Sequence, residues 1–564
     1  MKLHERQRSG QPPAKRASIP PVMLVEPSRS LAKPQPTTKP HLDAGLLEAC
    51  TEAAKQHEAS SSADHRRSRG QVFTPPEVAR FMAGLLPEIT KRFRLLDPGA
   101  GPGILTAAVC ERVTKLRSPR HLDVHLYETD KALLPLLRRN VTLCRDALLR
   151  AGHSADFEVH TEDFVFANEH ISEQPSLFAP VSAPETFDAV ITNPPYFKID
   201  GDSPHATLFR ALVHGQPNIY ALFLAVAAGV LRPGGSLVAI TPRSFCNGLY
   251  FRGFRHWFFE RMTLRHAHLF ESRKDAFREA GVLQESLITL TTRLGVPAQH
   301  VTLTTSYGRG DLASPRRIEL PANRVVDDSC GDMVVRLPSD DVDARIMAIV
   351  ESWPSRFADH GLKVSTGPVV SFRANEYLVH AARERGTVPL LLVHNVRLFR
   401  TEWPLPENGK PAAFRVAPGS EKMLVPTLNY VLLRRFSAKE ERRRLTASCL
   451  LRENFPSKRV ALENHVNYVY HSERELTEDE TFGLAGLFNS VLLDRYFRTL
   501  SGNTQVNATE LRTLNFPNLT TVRNIGRGIR ALGRLDLAEI ERVVLDTLGV
   551  NGSLAKELLE AARG

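Results

Sequence analysis

Between about residues 70 and 295 the apolar positions fall into two alternating patterns, short runs of strand length and longer stretches with helical spacing. The runs "RLLD" (94–97), "DVHLYE" (123–128), "DFEVH" (156–160), "FDAVIT" (187–192) and "GSLVAIT" (235–241) predict five strands. Between them "ILTAAVCERV", "KALLPLLRRNVTLCRDALL" and "IYALFLAVAAGVL" predict helices, the last apolar on all sides and therefore buried. This βαβ rhythm predicts a parallel, doubly wound sheet, a Rossmann-like α/β domain. "LRPGG" at 231–235 predicts a helix end followed by a tight turn into the fifth strand.

The flanks read differently. Residues 1–42 are rich in Pro, Ser, Lys and Arg and hold too little apolar surface to offset the entropy of ordering, so a disordered tail is expected. Residues 43–69 predict a helical segment that breaks at "SSSADHRRSRG". The α/β domain is expected over 70–300. Beyond it the rhythm stops, prolines multiply, and "SAKEERRRLTASCLLRE" predicts a strongly basic helix within a second domain of mixed α/β or irregular structure, 301–564.

Composition narrows the partners. The chain of 564 residues is 42% hydrophobic, ample for two cores. Its 73 Lys+Arg against 62 Asp+Glu give a net charge of +11, which favours a polyanion, with a basic but non-binding surface as the alternative. "YALFLAVAAGVL" is the longest apolar run and is short of the roughly 20 residues that span a bilayer, so no membrane partner is expected. The start is polar, which leads us to expect a cytoplasmic protein. Six cysteines stand singly, with no CxxC or Cys/His pairing at metal-ligand spacing, so reduced thiols and no zinc are expected.

Candidate chemistry gathers at the strand ends. "DPGAGPG" (97–103) follows the first strand and opens a helix, with Gly99, Gly101 and Gly103 allowing a tight turn and close backbone approach to a ligand. Alone, such a loop also suits a structural turn or a dinucleotide site. Glu128 ends the second strand, where a carboxylate can accept both hydroxyls of a ribose, and equally reads as an exposed strand-end acid. Asp163 and Phe164 follow the third strand, an acid for an adenine amino group and a ring for its face. At the end of the fourth, "NPPY" places Asn193, Pro194, Pro195 and Tyr196 in the crevice where doubly wound sheets bind ligands. Two acceptors held by a rigid diproline and one π-face suit a planar base with an exocyclic amino group. The other reading is a strand-ending turn with a core tyrosine.

"DPGAGPG" together with "NPPY" resembles the S-adenosylmethionine-dependent amino-methyltransferases, and "GQVFTPPEVARFM" (70–82) resembles the cofactor-side motif of DNA adenine methyltransferases. The order of motifs matches the gamma-type arrangement. "VSTGPVVSFR", "NYVLLRRFSAKEERRR" and "SGNTQVNATELRTLNFP" are similar to the recognition region of PstI/BsuBI-type modification methylases, so the resemblance covers most of the chain after about residue 65. It implies a class I methyltransferase domain followed by a DNA target-recognition domain, with S-adenosylmethionine as cofactor and double-stranded DNA as partner. Phe73, Thr74 and Pro75 would lie over the methionine end of the cofactor, and Asp97, Pro98, Gly99, Gly101 and Gly103 would cradle it. Glu128 would hold the ribose, and Asp163 with Phe164 the adenine. Asn193, Pro194, Pro195 and Tyr196 would form the target-base site, with Phe277 as a second ring facing the flipped base. Arg434, Arg435, Arg442, Arg443 and Arg444 are candidates for phosphate or guanine contacts, although the interleaved Glu440 and Glu441 equally suit a solvated helix face.

The implied reaction is methylation of adenine N6, with no general base required. No Pro-Cys dipeptide exists to attack cytosine C6, which excludes 5-methylcytosine chemistry. N4-cytosine, RNA or glutamine methylation, and a catalytically silent DNA-binding subunit of a defence system, remain as alternatives. The stretch of about 65 residues before the motifs is too short to fold a nuclease, so a monomeric modification enzyme, alone or with a separate endonuclease, is expected.

Overall fold

The computed structural model describes residues 45–563 apart from 61–70, 172–185, 213–217, 273–284, 295–296, 406–408, 438–440, 501–504 and positions 330 and 513. The expected tail and Phe277 lie outside the described residues. The predicted strands form as β1 (Arg92–Pro98), β2 (His121–Tyr127), β3 (Ser154–His160), β4 (Phe187–Thr192) and β5 (Leu231–Pro242), joined by β6 (Met262–Phe270), β7 (Ser286–Arg293), β8 (His300–Ser306) and β9 (Arg316–Pro321). Their order in the sheet is β3-β2-β1-β4-β5-β7-β6-β8-β9.

The first five strands run parallel, as the rhythm predicts. The sheet as a whole is mixed, because β7 runs antiparallel to both β5 and β6. Strand order reverses between β1 and β4, which opens a crevice at their carboxyl ends. Neighbouring residues of β4 alternate between two cores, Val190 facing one and Ala189 with Ile191 the other. Burial on both faces explains why "FDAVIT" is a continuous apolar run. Helix Ile219–Val230 fills the first core.

Two expected boundaries move. Helix Leu46–Ser60 inserts Leu47, Cys50 and Ala54 into the same core as Val78 and Cys110, so the segment 43–69 contributes to the α/β layer. At the other end β8 pairs with β6 and β9 with β8, carrying the sheet to Pro321, past the boundary expected at 300. The described cysteines are free and buried.

The C-terminal half combines two five-stranded sheets with a helical cluster that includes Glu478–Asn489, Val491–Leu500, Leu519–Ala531, Leu537–Thr547 and Gly552–Arg563. Among the described residues of the predicted basic helix no α-helix forms. Ala447–Leu450 is instead a strand paired antiparallel with Tyr430–Arg434, fully buried over its length. Its apolar "ASCL" gains more from a sheet core than the charged stretch before it gains from a helix.

Candidate active site

The loop after β1 is tied to β2, since the amides of Gly99 and Ala100 donate to Tyr127 O at 3.0 and 2.9 Å. Gly99, Gly101 and Gly103 all adopt left-handed backbone, with φ of 73°, 55° and 79°. A Cβ at Gly99 would stand 3.6 Å from the Phe223 ring, and one at Gly101 3.7 Å from Phe73, so the missing side chains keep a hollow open. Below the loop Asp97 is fully buried. One of its oxygens accepts from Thr106 Oγ1 at 2.7 Å and the other, Oδ1, has no partner. Burial pushes its carboxyl up to about 7, with the charge of Glu128 adding and the Thr106 bonds opposing. Pro98 O accepts from Thr192 Oγ1 at 2.7 Å and fixes the loop against β4.

The hollow is a cavity of about 220 Å³. Phe73, Gly99, Gly101, Glu128, Asp163, Phe164, Asn193 and Pro195 all line it, so residues spread over more than 120 positions of sequence meet on one surface. Glu128 accepts from the Gly101 amide at 2.8 Å and the Asp130 amide at 2.6 Å, which orients its carboxylate at the rim of the glycine loop. Asp163 caps helix Phe164–Ala167 through Oδ1 and meets His205 Nε2 through Oδ2 at 3.1 Å. Burial alone would raise the Asp163 carboxyl, but the bonds from His205 and the helix amides bring it below the usual range, so it stays ionised. Phe164 is buried edge-on to Tyr127 and tilted against Phe223, with ring centroids 5.2 and 5.4 Å apart.

The "NPPY" turn closes the far wall. Asn193 Nδ2 donates to Val72 O at 2.8 Å and to Thr74 Oγ1 at 3.0 Å, which fixes the orientation of the carboxamide and joins the segment before helix Pro76–Leu85 to the end of β4. Its Oδ1 accepts from the Tyr196 hydroxyl, which also lies 2.7 Å from Ile240 O. Burial, reinforced by Tyr220, pushes the Tyr196 phenol well above its ordinary value and keeps it a donor. Tyr196 therefore stands behind Asn193, its ring edge-on to Tyr220. Pro194 is buried in the turn, and Pro75 caps helix Pro76–Leu85.

A second, larger cavity of about 590 Å³ lies between the α/β sheet and the C-terminal half. Lys198, Arg435, Arg512 and Gln505 line it, and Leu249 and Tyr250, 60% and 58% exposed, project beside it. Of the five candidate arginines, Arg435 alone lines this cleft, bonded to Asn464 O at 3.0 Å and Gln505 Oε1 at 3.3 Å. Arg434 donates to Val396 O and Arg442 to Ala561 O and Ala562 O. Arg443 turns inward onto Asn489 O, and Arg444 is buried with Nη1 on Ser437 O at 2.9 Å. Arg434, Arg442, Arg443 and Arg444 are thus engaged with backbone carbonyls of the chain rather than presented together on a helix face. Asp494 of the helical cluster accepts from the Arg444 and Leu445 amides at 2.6 and 2.8 Å, which holds this segment inward.

Sequence reasoning missed Val72, Tyr127, Phe223 and His205. Phe223 looks like any core position of an apolar helix, and His205 stands in a stretch without periodicity, so neither carries a local signal.

The strand order, with the late antiparallel β7 beside β5, and a nucleoside-sized cavity at the crevice define a Rossmann-like class I methyltransferase fold. The restriction-modification methylase family Eco57I matches residues 125–277. The type II methyltransferase M.PstI of Providencia stuartii is 32% identical over 498 residues, covering 88% of this chain and 95% of that protein. M.BsuBI of Bacillus subtilis is 32% identical over 490 residues, covering 85% and 95%. The chain belongs to this family of type II methyltransferases. Among solved structures, the type IIL restriction-modification enzyme MmeI, in complex with DNA, shares the fold with a TM-score of 0.52 at 11% identity, over 92% of this chain and 76% of that one.

Proposed function

We propose that the protein transfers a methyl group from S-adenosylmethionine to N6 of an adenine turned out of double-stranded DNA, as the modification enzyme of a restriction-modification system. The observation that carries this reading is the Asn193 carboxamide, clamped by Val72 and Thr74 at the wall of the 220 Å³ cavity. Its oxygen and the Pro194 carbonyl are the two acceptors that a planar amino group needs. The family to which the chain belongs and the overall likeness to MmeI support DNA as substrate.

The lining fits the cofactor. Glu128 suits the ribose hydroxyls, ionised Asp163 the adenine amino group, and Phe73, Phe164 and Phe223 the apolar faces. Phe73 over the glycine loop offers a ring face to a sulfonium. When bound, the cofactor supplies an activated methyl group on sulfur. The residues of this chain do the rest. The amino nitrogen of adenine is a weak nucleophile because its lone pair is delocalised into the ring. Bonds from its two hydrogens to Asn193 Oδ1 and Pro194 O draw the nitrogen toward tetrahedral geometry. The Tyr196 hydroxyl yields its place on Asn193 and keeps Ile240 O, and its ring backs the base. Catalysis on this account is positioning and preorganised electrostatics. The proton departs to water after transfer.

The basic cleft suits the duplex, with Lys198 and Arg435 placed for phosphate and Tyr250 for the gap left by the flipped base. This reading is completed by a monomeric enzyme in the cytoplasm, working alone or beside a separate endonuclease. The test is transfer of labelled methyl from S-adenosylmethionine to unmodified DNA, structured RNA and protein acceptors. Incorporation into DNA alone, lost in Asn193→Ala with cofactor binding retained, is expected. Incorporation into RNA or protein in place of DNA would overturn the assignment.

A further inference from the structure

Away from the cavity, β2 and β3 pair side by side with His125 opposite Glu158 and Tyr127 opposite His160. His125 Nδ1 stands 3.1 Å from His160 Nε2 and 3.8 Å from a Glu158 carboxylate oxygen. One ligand atom from each of the three residues lies within 4.8 Å of the others. A tetrahedral ion with bonds of about 2.0–2.1 Å holds its ligand atoms about 3.3 Å apart, so the trio is already close to the required spacing.

The surroundings are those of a metal site as well. The far nitrogen of each imidazole faces a carboxylate, His125 Nε2 meeting Asp123 Oδ1 at 3.3 Å and His160 Nδ1 meeting Glu162 Oε1 at 3.5 Å and Glu158 Oε1 at 3.8 Å. Such outer carboxylates fix the tautomer and raise the basicity of the ligating nitrogen. Arg94 also approaches His125 Nε2, at 3.4 Å, and its charge is met by Asp123 at 2.7 Å. The rings are held in place, His160 stacked between Tyr127 and His125 and His125 set edge-on to Phe187.

We propose that His125 Nδ1, His160 Nε2 and Glu158 bind one divalent transition-metal ion of the zinc class, with water in the fourth position. The ion braces the carboxyl ends of β2 and β3. These ends carry the cavity, because Tyr127 lines it and the Glu128 amide donates to His160 O at 3.0 Å. The ion sits in the sheet and takes no part in the chemistry at Asn193.

The experiment titrates zinc chloride into the full chain, stripped with EDTA and exchanged into chelator-free buffer, by calorimetry, and records the visible absorption after cobalt(II) is added instead. One ion per chain and the intense bands of tetrahedral cobalt are expected. Affinity should fall about tenfold or more in His160→Asn and in Glu158→Gln, and stay unchanged in His121→Ala, whose imidazole bonds Ser154 outside the trio. Circular dichroism checks the fold of each variant. Absence of stoichiometric binding, or equal binding by folded His160→Asn and the parent, would overturn the proposal. Neither outcome depends on methyl transfer.

Discussion

Asn193 has both halves of its carboxamide engaged, the amide on Val72 and Thr74 and the oxygen toward Tyr196. Replacement by alanine removes an acceptor used only as the amino group pyramidalises, so kcat should fall about 10²–10³-fold with cofactor affinity retained. Steady-state kinetics with a parallel cofactor-binding measurement checks this. At Tyr196 hydroxyl and ring have different roles. Tyr196→Phe keeps the ring and should stay within about tenfold of the parent, whereas Tyr196→Ala loses a stacking surface worth ~1–3 kcal/mol and should raise KM for DNA. Equal losses in both variants would place the main contribution in the hydroxyl. At this scale the sequence was most informative where chemistry is contiguous. "DPGAGPG" and "NPPY" each hold their residues within one turn, and Gly99, Gly101, Asn193 and Pro195 of the two motifs line one cavity. Val72 acts through its backbone carbonyl, which no residue identity reveals, and the His125, Glu158 and His160 trio spans two strands.

Among elements, the glycine loop and the helical cluster make separate demands. Gly101→Ala forces a side chain into left-handed backbone, costing roughly 1–2 kcal/mol, and places a methyl against Phe73, so weaker cofactor binding is expected by calorimetry. Gly84→Ala, in open space on helix Pro76–Leu85, should instead stabilise by about 0.5–1 kcal/mol. In the C-terminal half Glu541 caps helix Val491–Leu500, accepting from Val491 N at 2.8 Å. Burial pushes its carboxyl up to about 7, against the Val491 amide and Arg443. The folded chain holds this proton more tightly than the unfolded chain, whose glutamates titrate near about 4.3. Its contribution is therefore complete below about pH 4.3 and is lost as pH rises to about 7. Asp97, also pushed up to about 7, adds in the same direction. Denaturation midpoints should fall between pH 5 and 8, and less steeply in Glu541→Gln. The central strands β1, β4 and β5 were legible because burial on both faces leaves continuous apolar runs. The basic helix was misread because charge spacing alone suggested a solvated face, while partners some 50 residues on, Asn489 O for the Arg443 side chain and Asp494 for the Arg444 amide, hold the segment inward.

Across the whole molecule the two halves are joined by Arg243, which donates to Arg498 O and Thr499 O at 2.9 and 2.7 Å, and by Asn247, which donates to Glu510 at 3.0 Å. The cleft between them is where a basic net charge finds use. Arg435→Ala should weaken binding to any duplex and lower the salt dependence of affinity by about one phosphate contact. Arg444→Ala should leave the salt slope alone and reduce folding stability by about 1–3 kcal/mol, since it exposes Ser437 O to a buried void. The sequence located the five parallel strands of the α/β half to within a few residues at most ends and did not place β6 to β9. It placed the second half by composition only, because long-range pairings such as Val364 with Val469 leave no local period.

The most direct test of the central claim is the identity of the modified nucleoside. DNA methylated by the purified chain, digested and resolved by liquid chromatography with mass spectrometry, should yield N6-methyladenine, absent from DNA treated with Asn193→Ala. N4-methylcytosine as the product would keep the fold, the cavity and the Asn193 clamp, and would contradict the assignment of adenine as the base they serve.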